Sequence, residues 1–420
     1  MKILGRYIIN GGKRLFGTVN VHGSKNTALP ILCACIVNSG INVIHNCPKI
    51  TDVYNTCRLL EKAGCSVLWE ESTVVVDSSK AHFIVLDGDE VSKMRSSVIF
   101  VGAFCGRFKR ARVAKPGGCK IGKRPLDIHF DSLEKLGIDV IDNGDYIDCV
   151  CSEIVGTELN LRLPSVGATE NIMLAAVSAT GKTVIKNAAM EPEIQALADF
   201  LKCIGANIDF CSDGVITIDG VNEFKNSEYT IIPDRIEAGT FLAACAATKG
   251  EIFLKNAAPE HMKGILTTFD DIGGKIESHK DGIHCNFMNG VIYPQKIKTG
   301  AYPAFPTDMQ PQIMAVLTLS VGESIIIESV FENRFGHVPE LCKMGADISC
   351  FGRKAVINGV PYLEAAEVSA SDLRAGAGLI IAALSCGGTS FVYGTEYIMR
   401  GYENIEKSLS ALGADIRYEN

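Results

Sequence analysis

No apolar run in these 420 residues approaches the roughly 18–20 that a helix needs to cross a bilayer. The opening MKILGRYIINGGKRLFG also lacks the unbroken apolar stretch of a secretory signal, so a cytoplasmic protein without a membrane span is expected. An excess of positive charge is missing: 41 Lys and Arg stand against 48 Asp and Glu, a net −7. That balance excludes a general nucleic-acid binder, which needs a basic face, but leaves a local anion site open. The sixteen cysteines contain no C-x-x-C pair and the eight histidines no H-x-x-x-H spacing, so no metal is expected. Settings such as ILCACIV and FLAACAAT read as reduced core thiols of a cytosolic chain. G-x-S-x-G and G-x-G-x-x-G are absent. ATGKTV resembles the end of a phosphate-binding loop, but Ala176 stands where glycine is required, and GKT follows a helix instead of opening one.

What is present is a repeat. LLEKAGCSV, LEKLGIDV, LKCIGANI, FDDIGGKI, LCKMGADI and LSALGADI align on Gly64, Gly137, Gly205, Gly273, Gly345 and Gly413, spaced 68 to 73 residues apart. Each phrase has helical apolar spacing, then a glycine able to take a left-handed C-cap, then a short strand. About 40 residues before each glycine lies a more apolar helix, for example TENIMLAAVSATG or LRAGAGLIIAALSCGG, followed by a β-branched strand. A helix apolar nearly all round is buried. Six such modules are too much for one core, and three plus three gives two similar α/β domains with a seam near TIIPDRIEAG.

The repeat also arranges the charges. Lys25 and Asn26, Arg95, Thr169 and Glu170, Arg235 and Glu237, Asp308, and Arg374 fall at or near the starts of the apolar helices. After the next strands come a cysteine loop with Arg124, then Glu191, His261, Arg334 and Arg400. Equivalent positions in equivalent modules gather at one end of each domain. Helix N-termini joined by lysines and arginines make an anion site. The turn SVGAT, 165–169, feeds a helix start that can present N–H groups to a phosphate. The loop AKPGGCKIGKRPLDIH sets Cys119 among Lys115, Lys120, Lys123 and Arg124, where cations favour a thiolate and glycines give mobility.

HGSKNTALPIL, KPGGCKIGKRPLDIH, PSVGATENIM, PDRIEAGTF, FPTDMQPQ, FENRFGHVPEL, SDLRAGAGL and RGYENIEKSLSALGADI, in this order along the whole chain, resemble the UDP-N-acetylglucosamine enolpyruvyl transferase family. The resemblance implies two inside-out α/β domains of three repeats each, with substrates in the cleft between them. The second domain would take 1–23 plus 234–420; the first, 24–233, would carry the mobile loop 114–129. It implies the first committed step of peptidoglycan synthesis: the enolpyruvyl group of phosphoenolpyruvate moves to the sugar 3′-hydroxyl and phosphate leaves. Neither metal nor organic cofactor is implied, and the partners are these two small molecules.

By the same resemblance, Lys25, Arg124 and Arg400 hold the phosphate or carboxylate of phosphoenolpyruvate, with Arg334 and Arg374 nearby. Asn26, Arg95, Asp308 and Val330 meet the sugar and its diphosphate. Arg124, Pro125, Leu126, Asp127, Ile128 and His129, with Ser165, Val166 and Gly167, line the nucleotide side. Asp308 is the implied base for the 3′-hydroxyl. Cys119 is the implied acid that protonates the methylene carbon, forms a covalent adduct and meets the inhibitor fosfomycin. The pattern departs from the family in GSKNT for the usual G-A-K-N-A, in a proline missing near FVGAFCGRFKRARV, and in a glycine missing after His129. None of these removes a chemical residue, and they leave room for a second, specialised copy. An enolpyruvylshikimate phosphate synthase-like transferase and a non-catalytic sugar-nucleotide sensor on the same fold are the alternatives.

Overall fold

The computed structural model describes residues 5–115, 121–122, 125–211 and 213–420. These fall into two compact units: 5–22, 121–122 and 233–420 form one, and 23–115, 125–211 and 213–232 the other. Each unit holds three of the six modules, and each module owns a four-stranded sheet with one strand order. In Val85–Leu86, Arg110–Ala114, Tyr146–Val150 and Asp139–Asp142, the first pair runs parallel and the next two pairs antiparallel. A parallel pair needs a crossover, and the apolar helix between its strands supplies it.

Three modules borrow strands from far along the chain. Ser227–Thr230 lies parallel to Ile41–His45 and completes the first sheet of its unit. In the other unit Phe16–Asn20 lies parallel to Glu251–Lys255, and Arg6–Gly11 inserts between Gly388–Tyr393 and Asp415–Glu419. The two N-terminal strands therefore belong with the C-terminal modules, each in a different sheet.

The apolar helices form each core. In one unit they are Lys25–Ala34, Phe100–Phe108 and Val166–Ala176; in the other Arg235–Ala247, Gln310–Leu317 and Leu373–Ser385. They pack backbone to backbone. A Cβ on Gly102 would stand 2.3 Å from the Asn171 carbonyl oxygen, and one on Gly106 2.7 Å from that of Leu174. Any side chain at these two positions would push the helices apart. The second helix of each module is two-faced: Thr51–Lys62 buries Val53, Leu59 and Leu60 while Tyr54, Arg58 and Lys62 face out. All six repeat glycines close such a helix at positive φ, between 83° and 108°, the conformation in which a side chain is penalised.

Strand burial alternates, as in Ile41–His45, so one face of a sheet covers the helices and the other meets solvent. Among the described residues no helix is long and apolar enough to cross a membrane. Ten of the fifteen described cysteines are buried; Cys211, Cys342 and Cys350 are exposed, outside the core settings read from the sequence. Burial pushes the Cys33 and Cys35 thiols well above their ordinary range, which makes them poor nucleophiles.

Candidate active site

The densest arrangement of charge in the Pro233-to-Asn420 unit is built on helix starts. Pro306 directs the chain into the short turn Thr307–Met309, which runs on into Gln310–Leu317 and sets Asp308 at the mouth of an apolar helix. Asp372 caps the neighbouring helix Leu373–Ser385, its Oδ1 accepting the N–H groups of Arg374 and Ala375 at 3.0 and 3.2 Å. Arg374 is thus held in a first turn, and its side chain reaches back: Nε and Nη2 donate to Asp308 Oδ2 at 3.2 and 3.0 Å. Arg334 approaches from the other side, with Nη2 3.2 Å from Asp308 Oδ1 and Nη1 3.5 Å from Asp372 Oδ1. The two guanidinium side chains are 2% and 3% exposed, whereas the carboxylate between them is 30% exposed.

That asymmetry has chemical content. Burial opposes the charge on Arg374, but facing Tyr402 and Asp308 outweigh it, and its pKa lies above the ordinary value. A fixed positive pair beneath a solvent-facing carboxylate keeps the carboxylate oriented and concentrates positive potential where an anion would arrive. Glu328, buried, extends the frame: Oε2 accepts from the Thr307 hydroxyl at 3.0 Å, and Oε1 accepts the N–H groups of Val330 and Phe331 at 2.8 and 3.1 Å. One carboxylate thereby ties the Asp308 turn to the loop bearing Val330. His337 lies buried beside Arg334 and Asp372, and among the described residues neither ring nitrogen reaches a partner with hydrogen-bonding geometry. Burial pushes its pKa down to about 4; the nearby Asp372 and the Arg334 backbone offset this only in part.

In the other unit Ser24 caps the helix Lys25–Ala34, its Oγ accepting from the Thr27 N–H at 3.3 Å. Lys25 in the first turn pairs with the buried Asp52 at 2.8 Å. This helix packs on the short turn Arg95–Ile99, which in turn packs on Val166–Ala176. Ser165 caps that last helix with Oγ 3.4 Å from the Ala168 N–H, so SVGAT does open a helix. His129 Nδ1 lies 2.9 Å from Asn171 Nδ2. An amide nitrogen can only donate, so Nδ1 accepts and the ring proton of neutral His129 sits on Nε2. That nitrogen is turned toward Gly167, where a Cβ would stand 3.3 Å away.

Of the residues read from the sequence, Asp308, Arg334 and Arg374 touch one another, and Val330 joins them through Glu328. Arg400 lies in the same unit two residues before Tyr402, whose hydroxyl accepts from Arg374 Nη1 at 3.2 Å. Lys25 and Asn26, Arg95, and Val166 and Gly167 lie on three elements of which the Arg95–Ile99 turn packs against the other two, and His129 meets Gly167. Pro125, Leu126, Asp127 and Ile128 lead into His129 along the start of the helix Asp127–Lys135. Cys119 and Arg124, with Lys120 and Lys123, lie outside the described residues. Lys115 pairs with Asp142 at 2.6 Å. Glu328, Asp372, Tyr402, Asp52 and Asn171 escaped the sequence reading. Only Asp372, preceding an apolar helix, carried a local signal, that of an N-cap.

Comparison with known proteins gives the class first. The family described as EPSP synthase (3-phosphoshikimate 1-carboxyvinyltransferase) matches residues 9–409. The solved enolpyruvyl transferase NikO from Streptomyces tendae superposes with a TM-score of 0.89 at 23% identity, each chain covered to 99%. EPSP synthase from Acinetobacter baumannii superposes with 0.77 at 14% identity, over 99% of this chain and all of that one. At such identities these two likenesses speak for the fold, an enolpyruvyl transferase fold. Sequence relatives are nearer. The UDP-N-acetylglucosamine 1-carboxyvinyltransferase 2 of Caldanaerobacter subterraneus is 47% identical over 415 residues, 98% of this chain and 99% of that one. The UDP-N-acetylglucosamine 1-carboxyvinyltransferase of Halothermothrix orenii is 43% identical over 99% of both. The chain belongs to the carboxyvinyltransferase family and, within it, to the UDP-N-acetylglucosamine 1-carboxyvinyltransferases.

Proposed function

We propose that this chain transfers the enolpyruvyl group of phosphoenolpyruvate to the 3′-hydroxyl of UDP-N-acetylglucosamine and releases phosphate, in a reducing cytoplasm, as the committed step toward peptidoglycan. The observation that carries the substrates is the 47% identity, over nearly the full chain, to a relative of that name. Buried free thiols such as Cys33, Cys35 and Cys105 support the compartment.

The chemistry proposed for the residues is an addition followed by an elimination. The sugar oxygen bonds to C2 of phosphoenolpyruvate, its proton passes to Asp308, and C3 takes a proton from Cys119. The tetrahedral intermediate then returns a proton from the new methyl group to the Cys119 thiolate as the C2–O bond to phosphate breaks, restoring the C2–C3 double bond of the enolpyruvyl group now carried by the sugar oxygen. Lys25, Arg124 and Arg400 hold the phosphate and carboxylate through both steps, and Arg334 and Arg374 keep Asp308 oriented. Cations are needed throughout because the ligands are multiply charged and the leaving group carries charge away. Asn26 and Arg95 meet the diphosphate; the 125–129 stretch and Ser165 to Gly167 meet the nucleoside. The two alternatives predict different assays. An enolpyruvylshikimate synthase-like enzyme would accept shikimate 3-phosphate, and a sensor would bind the nucleotide sugar without turnover.

The test is phosphate release with both substrates present. Release that requires phosphoenolpyruvate and UDP-N-acetylglucosamine together, with a pyruvyl-bearing nucleotide sugar seen by mass spectrometry, is the expected result. Release without the nucleotide sugar, or none at all, overturns the reading.

A further inference from the structure

We infer that Tyr402 is a positioning residue for the transfer, its phenol oxygen aiming the Arg374 guanidinium at Asp308; this rests on the function proposed above. Three helices of the unit, Arg235–Ala247, Gln310–Leu317 and Leu373–Ser385, pack together and each sends one polar side chain to this hydroxyl. Thr240 Oγ1 lies 2.8 Å from it, Gln312 Nε2 3.3 Å and Arg374 Nη1 3.2 Å. All four side chains are buried.

The direction of every proton follows from the partners. Thr240 already donates its hydroxyl proton to the Ile236 carbonyl at 2.7 Å. It therefore accepts from Tyr402, and the single phenolic proton is committed to that bond. Arg374 and the Gln312 amide are donors only at these atoms, so they occupy the two lone pairs of the phenol oxygen. Donor and acceptor capacity of the hydroxyl is filled, with nothing left over.

A closed hub of this kind is rigid, and its rigidity is passed to one atom group. With Nη1 fixed on Tyr402, the opposite edge of the planar guanidinium, Nε and Nη2, can only present itself to Asp308 Oδ2. Burial raises the Tyr402 pKa, and although Arg374 and Thr240 lower it, the phenol remains above its ordinary value and stays neutral at working pH. A neutral acceptor orients Arg374 without cancelling the charge that Asp308 and an arriving anion need. Tyr402 also ends the turn that carries Arg400, its N–H donating to the Ile398 carbonyl at 3.1 Å.

The experiment is steady-state kinetics of Tyr402→Phe, which keeps the ring and removes the oxygen. Loss of one hydrogen bond to a charged group corresponds to about 10- to 100-fold. That loss is expected in kcat/KM for phosphoenolpyruvate, with KM raised, while KM for the nucleotide sugar changes much less. A merely structural role would lower the amount of active enzyme, reducing kcat alone and leaving both KM values in place. In an Arg374→Lys background, which lacks the fork, adding Tyr402→Phe is expected to cost less than about twofold more. If Tyr402→Phe does not fold, Thr240→Val removes the phenol's acceptor and is expected to shift the same KM. Wild-type turnover with unchanged kinetics in these variants, or fully additive losses with Arg374→Lys, overturns the inference alone. A wild type that releases no phosphate removes the functional reading and this inference with it.

Discussion

Asp308 and Asp127 are both aspartates paired with arginine, one in each unit, and their surroundings could hardly differ more. Asp308 faces two arginines whose side chains are 2% and 3% exposed; Asp127 faces Arg162, with side chains 47% and 56% exposed. In the first case the cations have been taken out of water, hydrogen-bonded to Thr307, Asp372 and Tyr402, and aimed at one carboxylate. In the second, both partners keep their hydration, and solvent screens the attraction. The same residue pair is a fixed electrostatic device where it is framed by buried polar groups, and a solvated contact where it is not.

The largest effect should come from breaking the device at its centre. Asp308→Asn keeps the shape and loses the ability to accept a proton, and turnover is expected to fall by about 10²–10⁴-fold. Near-normal turnover, measured by phosphate release, would remove Asp308 as the base.

A second way to sharpen the comparison uses the buried neighbour His337. Its folded pKa of about 4 lies below the 6.5 of an unperturbed imidazole. Between those values the unfolded chain takes up a proton that the folded chain refuses. The stability this group contributes is therefore fully present above about pH 6.5 and is lost as pH falls toward 4, by up to about 3 kcal/mol. Urea midpoints of wild type and His337→Met, compared at pH 7 and pH 5, should show the variant losing less on acidification. Equal losses in both would show that His337 is not held neutral by burial.

The smallest effect is expected at the exposed pair. Arg162→Ala should change stability by less than about 1 kcal/mol and KM for the nucleotide sugar by less than about threefold. A larger rise in that KM would mean that Arg162 meets the nucleotide itself, and the contrast with Arg374 would narrow.

Periodicity made much of the fold readable. Six glycines at 68 to 73 residue spacing announced the modules, and all six adopt the positive φ that a helix-ending glycine takes. The apolar helices were legible because a helix without a polar face has nowhere to go but the core. SVGAT was legible as a helix start from local chemistry, whereas ATGKTV, read as a helix end, begins two residues past the cap Val177 and runs into the strand Lys182–Lys186. The crossing of strands between distant modules was less so: nothing local in Ser227–Thr230 says that it lies beside Ile41–His45. The candidate site residues were named by their resemblance to a family, while the groups that hold them were not. Glu328 carries no capping or motif signal, and Tyr402, though inside RGYENIEK, has hydroxyl partners 28 to 162 residues away.

The sequence by itself determined the six modules, their two-way grouping into α/β cores, and the identity of the charged residues, because helix periodicity, glycine conformation and helix-start chemistry act over a few neighbouring residues. Tertiary structure alone decided which carboxylate the arginines serve, which lone pair of Tyr402 each donor fills, and which nitrogen of His129 bears the proton. Those outcomes depend on angles and distances between helices that share no local sequence, and on burial that makes a hydrogen bond worth keeping at one aspartate and dispensable at another.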